Sequence, residues 1–139
     1  MEFMLVFAFS LLIIIPLVSL MNSEYQKNKA ELDLAQSDEI LNEIAATATD
    51  MYHAGYPSRE TLEFMFPRGI SQIQSQTVIT AEGPVSELVF IFDRSGVRNS
   101  LIRTFHFEIN ASLESRDGKR FIVVKAEEGN YVNITEDFR

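Results

Sequence analysis

The stretch that most constrains this chain is residues 3–21, FMLVFAFSLLIIIPLVSLM, nineteen residues without a charge and with only Ser10 and Ser19 polar. A helix needs about 20 apolar residues to cross a hydrocarbon core of about 30 Å, so the run is just long enough. Thirteen of the nineteen are Leu, Ile, Val or Phe, and at about −0.3 to −0.6 kcal/mol each on a membrane-insertion scale they sum to roughly −4 to −8 kcal/mol. Such a segment must be taken out of water by lipid or by protein.

The chain beyond residue 21 is long enough for one modest domain with a small core. The absence of cysteine removes disulfide staples, thiolate metal sites and thiol catalysis together. The net charge of −8 comes almost wholly from this later region and keeps its surface soluble. It argues against nucleic acid as a partner, which would need clustered Lys and Arg.

No basic residue precedes the apolar run and no small-residue cleavage site comes after it, so it reads as a retained helix and not as a secretory signal. The nearest positive charges, Lys27 and Lys29, lie after the run. Taken alone, the positive-inside rule would then hold the C-terminal part in the cytoplasm. Between residues 22 and 54 there is no Gly or Pro, which predicts that the helix continues. Leu34, Ser37, Leu41, Ile44, Ala48 and Met51 recur at helical spacing, while Asp33, Glu39, Glu43 and Asp50 lie off that stripe. Pro16 removes one backbone donor and predicts a kink or a locally unwound turn between Leu12 and Pro16.

Gly55 ends the helix and Tyr56-Pro57-Ser58 discourages its resumption. The pattern then changes to period two. Leu62, Phe64 and Phe66 alternate with Thr61, Glu63 and Met65, and Pro67-Arg68-Gly69 turns the chain. Residues 70–74 and 77–80 read as two short strands, and 88–92 as a central strand apolar on both faces. Asp93-Arg94-Ser95-Gly96 reads as a turn. Phe105, Phe107, Ile109, Ala111 and Leu113 form one face of a single strand. Asp117-Gly118 suits a type I′ hairpin returning through residues 121–125, and Glu128-Gly129-Asn130 turns into a last strand with Val132 and Ile134 inward. The fold class is α+β: a long N-terminal α-helix, apolar then amphipathic, packed on a small antiparallel β-sheet or β-sandwich head. The segments are 1–21, 22–55 and 56–139.

An enzyme reading finds little support. His53 at the helix end and His106 on a polar strand face belong to no metal-ligand spacing and read as solvated surface histidines. Nucleotide-binding and zinc-protease patterns are absent, and Asp93 and Ser95 read as turn chemistry with no histidine nearby in sequence. No catalytic residue, metal or cofactor is implied. Two Asn-x-Ser/Thr sequences, Asn110-Ala111-Ser112 and Asn133-Ile134-Thr135, place their asparagines on the polar strand face as candidate N-glycosylation acceptors if the chain is exported.

Glu2-Phe3-Met4, the unbroken apolar run and the long amphipathic helix together resemble the start of archaeal type IV pilin-like proteins, the group with class III signal peptides. That group carries a short basic leader and a Gln-x-Ser-x-Glu-Phe box before the apolar helix. Here Met1 falls at the variable position, Glu2 at the acid and Phe3 at the aromatic; the Gln, the Ser and the basic leader are not in this sequence. A start a few codons upstream would supply them and would also send the head outside, resolving the charge conflict. The similarity extends to the turn of Gly55 to Ser58, the strand of Phe64 ending in Pro67-x-Gly69, and Tyr131-Val132-x-Ile134.

The resemblance implies a structural subunit of a surface filament used for adhesion. The leader would be removed by a prepilin peptidase, and the subunit would wait in the membrane until an assembly ATPase and its platform move it into a helical homopolymer on the cell surface. Glu2 would take the role of the acid associated with assembly and processing. Phe3, Val6, Phe7, Ser10, Leu11, Ile14, Pro16 and Leu17 would belong to the helix bundle. The alternatives are a single-pass anchored extracytoplasmic binding domain, and a minor pilin or pseudopilin that primes or tips the filament.

Overall fold

A computed structural model describes residues 2–94 and 96–137, without the side chains of Glu2 and Arg94. The chain divides into two compact units, Met1–Leu34 and Ala35–Arg139. The elements in order are α1 (Glu2–Ala54), β1 (Arg59–Phe66), β2 (Ile70–Thr80), β3 (Gly83–Arg94), β4 (Val97–Phe105), β5 (Glu108–Ser112), β6 (Gly118–Glu127) and β7 (Tyr131–Asp137). This is the α+β arrangement expected, a long helix packed on β-sheets. Ser95, in the turn expected after β3, lies outside the described residues.

Helix α1 stays helical through Pro16, so the expected unwound turn does not form. Proline's fixed φ is compatible with a helix, and the ring removes only one donor, the one the Leu12 carbonyl would otherwise accept from. Gly55 ends α1 in the left-handed conformation, φ 72°, with its N–H donating to Met51 O at 3.0 Å. A residue without Cβ takes that conformation without strain.

In the unit Ala35–Arg139 the strands form two sheets, β1-β6-β7-β5 and β2-β3-β4. The helix buries Ser37, Ile40, Leu41, Ile44, Thr47 and Ala48. Leu34, expected in this stripe, is instead 37% exposed. The core contains Leu62, Phe64 and Phe66 from β1, Leu88, Phe90 and Phe92 from β3, and Ile122, Val124, Val132 and Ile134 from β6 and β7. Opposite flanks of the helix are tied to the edge strands of the two sheets. On one side Gln36 Nε2 donates to Met65 O at 2.7 Å. On the other, Arg103 of β4 donates to Asn42 Oδ1 at 2.7 Å and Asp38 Oδ1 at 2.6 Å.

The far edges of the sheets meet without a backbone ladder. Ile109 N–H donates to Ser86 Oγ at 3.0 Å, Ser86 and Thr77 hydroxyls lie 2.8 Å apart, and Thr77 Oγ1 donates to Ile109 O at 3.3 Å. With Ser86 donating to Thr77, every group in this ring is satisfied. Ser75 Oγ does the same for Ala111, accepting from its N–H at 3.2 Å and donating to its O at 3.3 Å. Three hydroxyls therefore occupy the edge of β5, which would otherwise be a template for another chain.

These hydroxyls explain one correction. Residues 70–80 are one strand with a single irregularity between Ile70 and Gln72, not two, because Ser75 and Thr77 face inward toward β5 and interrupt the apolar alternation without interrupting the strand. A second correction concerns residues 105–113. Phe105 ends β4 and β5 starts at Glu108, so the chain changes sheets at His106 and Phe107 while Phe105, Phe107 and Ile109 all remain buried. The first part of β4, Val-Arg-Asn-Ser, is exposed throughout and carries no alternation to read. A third is that Asp117-Gly118 makes no hairpin. Both edges of β6 are taken, by β1 and β7, and β5 pairs parallel to β7, so the sheets are mixed and not wholly antiparallel. The Glu128-Gly129-Asn130 turn forms as expected, with Gly129 and Asn130 at φ 116° and 61°.

Candidate functional site

In the unit Met1–Leu34 the apolar helix has none of its membrane-length apolar window buried. Phe3 is 89% exposed, and Val6, Phe7, Leu11, Ile14 and Leu17 are between 41% and 66% exposed. At 3.6 residues per turn, Phe3, Phe7, Ser10, Ile14 and Leu17 fall on one stripe with Val6 on its margin. Leu11 flanks that stripe and Pro16 lies on the far side. The nine residues expected to act together are therefore not a single face. Large apolar residues run all the way round, which is the pattern of a helix surrounded by apolar material. Glu2 starts the helix, and its side chain lies outside what the structure describes.

Ser10 Oγ donates to Val6 O at 2.9 Å. The hydroxyl is satisfied within its own helix, so it adds no unpaired donor to the apolar surface. The thirteen Leu, Ile, Val and Phe of this run present exposed apolar surface whose removal from water is favourable. The helix is long and apolar enough to cross a membrane.

The head carries three polar features. Arg120 and Glu136 form an ion pair with side chains 1% and 4% exposed. Arg120 Nε donates to Glu136 Oε1 at 2.9 Å and its Nη2 to Oε2, while its guanidinium carbon lies 4.4 Å from the centre of the Phe66 ring. Arg116 Nη2 reaches Glu136 Oε1 at 3.1 Å. Hydrogen bonds from Arg120 hold the Glu136 carboxyl below the usual carboxylate range; burial opposes this, and the Arg120 and Arg116 charges reinforce it. The pair was not foreseen in the sequence. Its signal was there, because Arg120 shares strand parity with Ile122 and Val124, and Glu136 with Val132 and Ile134.

His53 and His106, read separately as surface residues, are both exposed but line one cleft of about 260 Å³ with Tyr52, Phe105 and Phe107. Tyr52 stacks on Phe107 at 4.2 Å, and His53 meets Tyr52 edge-on at 5.8 Å. Among the described residues, no three His, Cys, Asp or Glu side chains are grouped to hold a metal. The third feature is the pair of Asn-x-Ser/Thr sequences. Strands β5 and β7 set Asn110 opposite Asn133 and Ser112 opposite Thr135. Asn110 is exposed and Asn133 half-buried.

No protein-family model, no curated protein and no solved structure matches the chain.

Proposed function

We propose that this chain is the structural subunit of an archaeal type IV pilus-like surface filament, held in the membrane by its apolar helix before assembly and polymerised through that helix afterwards. The observation that carries the reading is the exposure of every large apolar side chain from residue 3 to residue 21, beside a head unit that already encloses its own core. Such a helix leaves lipid only for a surface equally apolar, and identical helices from other copies provide one. The head would then lie outside the bundle, where it is free to contact other surfaces in adhesion. A prepilin peptidase and an assembly ATPase with its platform are the partners this route requires. The role of Glu2 comes from the sequence resemblance: a carboxylate entering an apolar bundle must be neutralised or paired with a cationic group.

A simple membrane anchor would keep residues 3–21 in lipid and be indifferent to Glu2. The test is therefore Glu2→Ala, expressed with the assembly apparatus. The variant is expected to remain in the membrane fraction at wild-type level while surface filaments disappear from electron micrographs. Normal filaments from the variant would show that Glu2 has no part in assembly.

A further inference from the structure

The two Asn-x-Ser/Thr sequences lie 23 residues apart in the chain, yet the parallel register of β5 and β7 brings them side by side on the outer face of one sheet. Neighbouring strands are about 4.8 Å apart, no wider than a sugar ring. A glycan on either asparagine thus covers the other.

The two positions differ in their surroundings. Strand β7 lies between β6 and β5, so Asn133 has Lys125 opposite it on one side and Asn110 on the other. It is half-buried in a polar cleft lined also by Arg59, Glu127 and Thr135. Asn110 is exposed on the outermost strand of its sheet. Among the described residues, the remaining edge of β5 is held by the hydroxyls of Ser75, Thr77 and Ser86. Lifting five-residue β5 toward a modifying enzyme breaks one backbone ladder, whereas lifting β7 breaks two and opens the middle of the sheet.

We propose that Asn110 and Asn133 form one N-glycan site with room for a single glycan, and that Asn110 is the acceptor; this rests on the reading of the chain as exported. The donor is a lipid-linked glycosyl phosphate. Asn110 Nδ2 attacks the anomeric carbon, and a C–N bond forms as the C–O bond to phosphate breaks. The lipid phosphate departs with the electron pair, and Nδ2 gives one proton to a base of the transferase. The asparagine thereby carries the sugar on its amide nitrogen, while Asn133, half-buried and held by a ladder on each side, stays unmodified.

The test is intact mass and glycopeptide sequencing of the full chain, Asn110→Gln and Asn133→Gln, each produced with its export and glycosylation apparatus. The expected result is one glycan per chain, on Asn110, in the wild type and in Asn133→Gln, with at least a tenfold loss of glycan in Asn110→Gln. Two glycans on one chain, or a wild-type glycan on Asn133, would overturn the proposal. So would an unmodified chain. Protease added to intact cells separates the causes in that last case: an unmodified head that is cleaved refutes the glycan site alone, and one that is protected refutes export as well.

Discussion

Glu136→Gln removes one charge from the buried pair and leaves the Arg120 guanidinium, 1% exposed, without a counter-ion. Breaking a buried pair by removing one partner costs about 3–5 kcal/mol, because the remaining charge has already lost its water. The lower half of that range applies here, since Gln still accepts a hydrogen bond and Arg120 keeps its contacts with Arg116 O at 3.3 Å and the Phe66 ring. Against a typical domain stability of about 5–15 kcal/mol this is a large fraction. For a unit of this size, where 1 kcal/mol moves Tm by about 4–8 °C, the drop is on the order of 12–32 °C. The sign of the pH dependence comes from the lowered carboxyl. In the unfolded chain it titrates near about 4.3, so its stabilisation is complete above that pH and is lost as pH falls through the lower folded value. Urea titration of the detergent-solubilised full chain, followed by tyrosine fluorescence from pH 7 to pH 3, measures both effects. The variant should be less stable at pH 7 and lose less on acidification. Combining it with Arg120→Met should recover much of the stability, since no buried charge is then left unpaired. A loss below about 1 kcal/mol at pH 7, or an unchanged acid slope, would refute the reasoning.

Two further outcomes test how the head is closed. Ser86→Ala leaves the buried Ile109 N–H without its acceptor and should cost about 1–3 kcal/mol in the same titration, with faster amide exchange in β5 than in β6. Leu41→Ala removes a fully buried helix side chain from the head core and should cost about 2–5 kcal/mol, whereas Leu32→Ala, at a 69% exposed position, should leave the urea midpoint unchanged.

Much of the fold was legible because local chemistry and burial agreed. Gly55 ends the helix where the left-handed position requires a residue without Cβ. The stripe of Ser37, Leu41, Ile44 and Ala48 is the face that is buried, and Val132 and Ile134 point inward as their parity predicts. Long-range pairing was not legible. Asp117-Gly118 has the local chemistry of a hairpin, yet no edge of β6 was left for β5 to join. The polar residues that carry tertiary structure misled for the same reason. Ser75 and Thr77 look like a break between strands until β5 is placed against them, and Arg120 looks like a surface charge until Glu136 is. In the apolar helix, the need for an apolar environment was legible from composition, whereas the separation of Pro16 from the Phe3, Phe7, Ser10, Ile14 and Leu17 stripe follows from the 3.6-residue period of the helix.

The central claim is that residues 3–21 exchange lipid for the same segment of other copies, and negative-stain micrographs of material sheared from cells carrying an active assembly apparatus test it most directly. Filaments built from this chain, with residues 3–21 protected from added protease and the heads accessible to it, are the predicted result. Sheared fractions without filaments, with all of the chain recovered as monomer in the detergent-extracted membrane, would contradict it.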